Sequence, residues 1–509
     1  MLTRPARGDL LAAVSVALIL VPQALAYASI AGLDPVYGLY AAVAAPLAAA
    51  LVGSSPYLAT GPVAVTSLLT FGALAPLAEP RSVEFAGLAA VLAVIVGLVR
   101  VAFGLTGAGP IAYLMSQPVV VSFTSAAALL IIGTQVPALL GVDVEADNPL
   151  VGAGRALSDP GQWVWTDLAL GAGAAVLLLG GRRVWTLFPG ALVAVVVGTT
   201  WSRLTDYDGA VVGQVTLELN APGGFSISDV LSLVVPGLVI AVVGFAEPAS
   251  IARKYAALDR HPWDANREFV GQGLANLASG LVGSFPVGGS FSRTALNRMS
   301  GARTRWSSAF TGLVVLLVLP FVALLSDLPL AVLAGLVIGA VGSLVDVRMP
   351  LLYWRWSKPQ LGVVLVTALG TLVLAPRVER GVLLGVAAAL AVHLWREMQV
   401  AVPASVEGDV LHLRPTGVLY FGSAPAVERT LTTLIAERPD VSTVVLHLDR
   451  VGRLDLTGAL MLRDILEDAE AADVTFVIEG AGANAARLLT RVLGLPVAEP
   501  GRRAHPLPP

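Results

Sequence analysis

The chain has 509 residues, of which 56% are hydrophobic and 13% are charged, and its formal net charge is −3. Soluble domains carry about 25% charged residues, so this composition predicts a polytopic membrane protein. The absence of cysteine excludes disulfides and thiolate metal sites, and the near-neutral charge argues against a nucleic-acid partner. No metal-ligand spacing occurs, so we expect neither a metal nor a cofactor.

Apolar sequence extends to about residue 402 and is divided into about 14 segments. Several segments are shorter than the ~20 residues that a full helical span requires. They form two sets of seven, over about 10–201 and 229–398, and we assign 1–402 to a transmembrane domain. The segments start near Leu10, Gly38, Pro62, Phe85, Val119, Thr166, Val184, Asp229, Phe269, Ser290, Ser307, Leu328, Gln360 and Gly381.

A near-repeat interrupts the third segment of each set. LVGSSP at 51–56 precedes TGPVAVT at 60–66, and LVGSFP at 281–286 precedes GGSFSRT at 288–294. Residues 269–301 must supply both the ninth and tenth segments, and at 1.5 Å per residue neither can cross a bilayer of ~30 Å as one helix. Matching breaks in the two halves of a transporter indicate the binding site.

The basic residues of the membrane part lie mostly in alternate loops, which is the pattern of the positive-inside rule. This asymmetry predicts an even number of spans with both termini in the cytoplasm. Lysine occurs only at 254 and 358, and this preference for arginine is typical of a GC-rich bacterial genome, so we expect a bacterial inner-membrane location. The loops assigned to the cytoplasm contain Arg100, Arg182, Arg183, Arg253, Lys254, Arg260, Arg267, Arg298, Arg303, Arg305, Arg348, Arg355 and Lys358.

After Pro403 the composition becomes that of a soluble domain. Strand-like runs occur at 410–413, 418–421, 444–448 and 474–478, and helix-like runs at 428–437, 460–471 and 483–493. This alternation predicts a small cytoplasmic α/β domain over 404–500. The Arg- and Pro-rich tail, 501–509, is expected to be disordered.

The two breaks have the chemistry of helix starts. Thr60 or Gly61 can cap the first helix, and Gly289, Ser290 or Ser292 the second. Two helix N-termini that face each other offer unpaired amides and partial positive charge, which form an anion site. Arg293 would add a full positive charge. The alternative role for Arg293 is a snorkelling or protein-paired arginine at a helix end.

Three further polar residues lie inside apolar segments. Glu247 can serve as a proton-coupling group, as a cation ligand, or as a structural partner of Arg293 or Arg253. Gln23 and Tyr27 lie one helical turn apart and share a face, so they can donate hydrogen bonds to an anion or pack between helices. Weaker candidates of the same kind are Thr66, Ser67, Thr294 and Asn297.

These residues lie in motifs that resemble those of the SulP family of anion transporters, almost from end to end. The motifs are VPQALAYA at 21–28, PVYGLY at 35–40, TGPVAV at 60–65 and the stretch 288–297. The resemblance implies two inverted seven-span repeats, a core and a gate domain, and an anion held between the third and tenth helices. The candidate site is Gln23, Tyr27, Val63, Ala64, Glu247, Ser290, Phe291, Ser292 and Arg293.

The C-terminal part resembles STAS domains, which are similar to bacterial anti-sigma-factor antagonists. In those antagonists a hydroxyl residue, at the position that Thr457 occupies here, is phosphorylated. A phosphate at a helix N-terminus is physically favourable, and an ordinary N-cap is the alternative role for Thr457. The resemblance implies a part in targeting, regulation or homodimer contact.

Together these features predict a secondary active anion transporter that works by alternating access and is not an enzyme. Glu247 favours coupling to protons, and two helix starts with one arginine suit a small dicarboxylate such as fumarate. Sulfate or bicarbonate fits the same physics, with proton or sodium coupling or by exchange. A nucleobase–proton symporter and a membrane-tethered regulator are further alternatives.

Overall fold

The computed structural model describes residues 4–113, 116–184, 188–213, 226–420 and 422–494. The chain forms two compact units, residues 1–389 and 390–509. The predicted tail, the end of the predicted α/β domain at 495–500, and Phe421 lie outside the described residues.

The membrane part is helical, with two very short strands. The helices are α1 (Arg7–Ile30), α2 (Pro35–Val52), α3 (Ala64–Leu74), α4 (Val83–Leu105), α5 (Gln117–Leu140), α6 (Pro149–Ser158), α7 (Trp165–Val184), α8 (Gly190–Leu204), α9 (Ile227–Ser232), α10 (Val234–Leu258), α11 (Ala265–Leu281), α12 (Phe291–Met299), α13 (Trp306–Val318), α14 (Leu330–Val341), α15 (Arg348–Trp356), α16 (Lys358–Val373) and α17 (Val378–Met398). The strands are β1 (Thr60–Gly61) and β2 (Gly288–Gly289).

Every predicted apolar segment contains one of these helices, which confirms the polytopic helical fold. The short helices α6 and α15 lie between predicted segments, and the short helix α9 lies at the start of the eighth segment, which continues in α10. Within the described residues, eight helical stretches are long and apolar enough to cross a membrane. The helices that follow the two breaks, α3 and α12, have only 11 and 9 residues. Neither can span ~30 Å alone, as the sequence predicted.

Glycines set how closely the helices of the membrane part approach. A β-carbon at Gly38 of α2 would lie 1.9 Å from the carbonyl oxygen of Ala24 in α1. A β-carbon at Gly97 of α4 would lie 2.9 Å from the carbonyl oxygen of Gly273 in α11, and the reverse distance is also 2.9 Å. Small residues at these crossings allow backbone-to-backbone packing, which stabilises helix pairs in lipid.

The second unit has a mixed sheet covered by helices. Its elements are β3 (Ala404–Glu407), β4 (Val410–Leu413), β5 (Gly417–Leu419), α18 (Ala424–Glu437), β6 (Thr443–His447), β7 (Val451–Leu454), α19 (Leu456–Ala471), β8 (Thr475–Glu479) and α20 (Ala483–Leu493). The main sheet has the order β3-β4-β6-β8, with β3 antiparallel and the others parallel. Strands β5 and β7 form a separate parallel pair. The predicted α/β class is therefore confirmed.

The start of α19 differs from one of the two roles predicted for Thr457. The N-cap is Asp455, whose side chain accepts a hydrogen bond from the Gly458 amide at 2.8 Å. The N-cap role for Thr457 is therefore wrong, because a carboxylate two residues earlier already caps the helix. Thr457 is exposed in the first turn of α19, and its phosphorylation stays a prediction.

We predict that Gly38→Ala lowers the melting temperature of the purified protein. The added methyl group would overlap the Ala24 carbonyl, and overpacking of this kind costs about 1–3 kcal/mol. Gly173→Ala in α7 is the matched control, because a β-carbon there meets no atom within 4 Å. A Gly38→Ala protein that melts at the wild-type temperature would contradict the close α1–α2 crossing.

Candidate anion-binding site

The two sequence breaks meet in the structure. Strands β1 and β2 pair antiparallel, with Thr60 opposite Gly289 and Gly61 opposite Gly288. Helix α3 begins three residues after β1, and α12 begins two residues after β2. The pairing therefore brings two short helix starts from distant parts of the chain to one crossing, which we call the strand crossing.

The two helix starts are capped differently. The N-cap of α3 is Val63, in extended conformation and without a side-chain cap. The prediction that Thr60 or Gly61 caps this helix is wrong, because Thr60 and Gly61 form β1 and the extended backbone continues to Val63. At α12 the prediction of Ser290 is correct: its side chain accepts from the Arg293 amide at 3.5 Å. The first amides of α3 thus keep their positive potential without a side-chain acceptor.

Arg293 links α12 to α1 and to the first break. It is 1% exposed, and its Nη atoms donate to Oε1 of Gln23 at 3.2 Å and to the carbonyl oxygen of Pro62 at 2.7 Å. Its Nε is buried and has no hydrogen-bond partner among the described residues. Tyr27 and Glu247 both interact with it electrostatically. A snorkelling arginine is therefore excluded, since the side chain is buried at the strand crossing, whereas these contacts agree with the protein-paired form of the alternative role.

Glu247 of α10 is bound to the start of α12. Its Oε1 accepts a hydrogen bond from the Phe291 amide at 3.3 Å. This carboxylate takes the place beside a helix N-terminus that a bound anion would favour. The chain's own negative charge and an anionic ligand would therefore compete for the same amide.

A cavity of about 20 Å³ lies beside Glu247, which is room for about one water molecule. Of the predicted site residues, Val63 and Glu247 line it, and its other lining residues are Val65, Thr66, Val120, Phe123, Thr124, Val243, Gly244 and Ala246. Ala64 and Ser290 are buried next to Val63 and Phe291 at the two helix starts. Phe291 and Ser292 are exposed on the first turn of α12, so this cavity does not include them.

Polar side chains from neighbouring helices support the irregular backbone on both sides of the strand crossing. Gln272 donates to Oγ1 of Thr60 at 2.7 Å, and Asn276 exchanges hydrogen bonds of 2.9 and 3.2 Å with the backbone of Val287. Thr294 Oγ1 accepts from the Ala59 amide at 3.0 Å, and Asn297 donates to the Tyr57 carbonyl oxygen at 2.9 Å. Thr294 and Asn297, predicted as weak ligands, thus bond to backbone groups of the first break.

Arg100 lies inside α4 and is 0% exposed, so its assignment to a cytoplasmic loop is wrong. It donates to the carbonyl oxygens of Ala241 at 3.0 Å, Val287 at 3.1 Å and Ile240 at 3.1 Å. These carbonyls belong to α10 and to the residue before β2, so the guanidinium joins both elements. Because Arg100 is a charged residue near the end of an apolar run, the sequence could have indicated that it binds backbone carbonyls inside the protein.

Sequence reasoning also missed the contribution of α5 and α11. Phe123 and Thr124 of α5 line the cavity but look like ordinary residues of an apolar helix. Gln272 and Asn276 lie four residues apart in α11, and this polar pair in a short, weakly apolar segment was a usable signal.

Comparison with known proteins agrees with this architecture. The family model described as “Sulfate permease family” matches residues 7–367, and the model described as “STAS domain” matches residues 401–495. A “Probable sulfate transporter” of Mycobacterium tuberculosis is 35% identical over 394 residues, which are 76% of this chain and 69% of that protein. “Sulfate transporter 4.1, chloroplastic” of Arabidopsis thaliana is 29% identical over 92% of this chain and 74% of its own length.

Solved structures share the fold. The murine Solute Carrier 26 family member A9 anion transporter has a TM-score of 0.87 at 21% identity, over 96% of this chain and 88% of that chain. The transmembrane domain of the cyanobacterial bicarbonate transporter BicA has a TM-score of 0.64 at 25% identity, over 75% of this chain and 97% of that chain.

The family match over residues 7–367, with a STAS match after it, makes this chain an anion transporter rather than an enzyme. This chain belongs to the sulfate permease family.

We predict that Arg293→Gln lowers anion uptake in proteoliposomes at least about tenfold, because hydrogen bonds to a charged group contribute about 1.5–3 kcal/mol. Arg348→Gln is the matched control, since Arg348 is exposed on α15. Unchanged uptake by Arg293→Gln, measured on protein with a wild-type elution profile, would remove Arg293 from the site.

Proposed function

We propose that this chain takes up a small divalent anion by alternating access, coupled to protons, and that sulfate is the first substrate to test. The observation that carries the proposal is the buried Arg293, whose Nε has no partner among the described residues at the meeting point of two helix starts. A buried donor without a partner is costly, and an anion at this point would satisfy it.

Proton coupling follows from the position of Glu247. While this carboxylate is ionised, it holds the Phe291 amide and repels an incoming anion. Protonation removes that negative charge and weakens the hydrogen bond to the amide, so anion binding and proton binding favour each other. If Glu247 stays ionised throughout the cycle, it can instead be a cation ligand, which is the sodium-coupled alternative.

The relatives and the site itself both bear on the choice of substrate. The relatives named as sulfate transporters favour sulfate. Fumarate remains the second candidate, because two paired helix starts can receive two carboxylates. Bicarbonate enters through the likeness to BicA. A neutral nucleobase would leave Arg293 unbalanced, so we place it last.

The arrangement of the whole protein is part of the proposal. We infer a transmembrane domain over 1–402 and a STAS domain over 404–500, with both termini on the cytoplasmic side of a bacterial inner membrane. The core of the first domain would move against the gate to expose the anion alternately. A homodimer, and regulation through Thr457, follow from family likeness alone.

The test is uptake of labelled sulfate into proteoliposomes, with and without an inward proton gradient, while unlabelled fumarate, bicarbonate and uracil compete. If the proton gradient stimulates sulfate uptake and fumarate inhibits that uptake only weakly, proton-coupled sulfate transport is supported. Stronger inhibition by fumarate would make the dicarboxylate the substrate, and uptake driven only by sodium would overturn proton coupling. A variant lacking 404–509 separates a transporter, which keeps some uptake, from a membrane-tethered regulator.

We predict that Glu247→Gln abolishes stimulation by the proton gradient but keeps exchange of labelled for unlabelled anion. The amide cannot ionise, so each anion would cross without a proton. Glu84→Gln is the matched control, because Glu84 is exposed in the first turn of α4. Wild-type stimulation in Glu247→Gln would place the coupling proton on another group.

A further inference from the structure

We propose that Arg100 is a second positive charge of the anion site and sets its preference for a divalent anion carried with one proton. This inference rests on the proposed function. It assigns to Arg100 a specificity-determining role, which is distinct from the direct ligand role proposed for Arg293.

Arg100 lies directly behind the wall of the cavity. A β-carbon at Gly244 would be 2.8 Å from Nη2 of Arg100 and 3.0 Å from Cγ2 of Thr66. Gly244 and Thr66 both line the cavity beside Glu247. Nη1 of Arg100 donates to the carbonyl oxygen of Val287, the residue before β2. The guanidinium therefore lies against Gly244, a residue of the cavity wall.

The charge of Arg100 is not balanced locally. In the described part of the chain, all of its hydrogen bonds go to backbone carbonyls, and no ion pair includes it. A fully buried cation without a carboxylate is costly, because burial removes the hydration of the charge. In a low-dielectric interior its field extends to the neighbouring site with little screening.

Within the described residues, the charged groups around Glu247 can be counted element by element. On α10 itself, Arg253 and Lys254 are exposed. Arg293 of α12 faces it, and Tyr27 of α1 interacts with Arg293. The lining residues from α3 and α5 carry no titratable group. On α11, Glu268 is bound to the amides of Ser54 and Ser55, and Asp229 of α9 is bound to Ser226. Among the described residues, Arg293 is the charged group that acts directly on Glu247, and Arg100 is the arginine that lies against Gly244 of the cavity wall.

This inventory contains two positive charges and one negative charge. A divalent anion balances both arginines only when Glu247 is protonated, so each divalent anion would bring one proton. A monovalent anion balances the site while Glu247 stays ionised and needs no proton. Without the Arg100 charge, the site would contain one positive and one negative charge. A monovalent anion would then balance the site only when Glu247 is protonated.

A purely structural Arg100 would behave differently. Its three carbonyl contacts hold α10 against the residue before β2, and their loss would lower transport of all anions by the same factor. The ratio of divalent to monovalent transport and the proton dependence of each anion separate the two roles.

The experiment compares wild type, Arg100→Gln and Arg100→Lys as full chains in proteoliposomes, with sulfate and nitrate as probes. Arg183→Gln is the matched control, because Arg183 is exposed on α7. We expect Arg100→Gln to lower the ratio of kcat/KM for sulfate to that for nitrate at least about tenfold, which is the scale of one unit charge at an effective dielectric of ~20. Arg100→Lys should keep most of the preference for sulfate.

The proton dependence gives the second readout. In wild type, the rate of nitrate uptake should not depend on the proton gradient. In Arg100→Gln, an inward proton gradient should increase that rate. If Arg100→Gln does not transport, the same ratio is read from thermal stabilisation of the purified protein by sulfate and by nitrate. An unchanged ratio with unchanged proton dependence would overturn the role of Arg100. Failure of wild type to couple sulfate to protons would instead overturn the proposed function.

Discussion

The strand crossing depends on one constraint: backbone that is not helical at membrane depth must find its hydrogen-bond partners inside the protein. Strands β1 and β2 satisfy part of this requirement for each other. Asn276 of α11 and Arg100 of α4 supply partners for the backbone of Val287, and Gln272 of α11 bonds the side chain of Thr60. The groups that make an anion site possible, free amides and a buried guanidinium, are those that this irregular backbone brings together.

The same constraint explains why α4 and α11 pack so closely. Gly97 and Gly273 let the two backbones touch, and Arg100 lies one turn after Gly97. Without that contact the guanidinium could not reach Val287 and the carbonyls of α10. Tight packing of two helices thus positions a charge at the site without any loop or cofactor.

The sequence was sufficient to predict the class of fold and the two breaks, because Gly, Pro and Ser stand out within otherwise apolar segments. It also singled out Glu247 and Arg293, because an ionisable residue within a span has few structural explanations, and the structure places both at the start of α12. The sequence failed to predict the roles of residues whose contacts lie far along the chain. Val63 occupies the N-cap position of α3, without a side-chain cap, because the extended backbone of β1 continues to it. Arg100 looked like a loop residue because its acceptors lie far along the chain. Thr124 carries no local signal at all.

The hydrogen-bond partners of α12 have a consequence for biosynthesis. Helix α12 is short and contains Arg293, Asn297 and Arg298, so on its own it would be a poor substrate for the translocon. Its partners Gln23, Tyr57 and Pro62 all lie in the first half of the chain, which leaves the ribosome earlier, whereas Ser307, which also bonds Asn297, follows α12. Most of the groups that satisfy the polar helix have thus been synthesised when it emerges, so the order of synthesis favours its insertion.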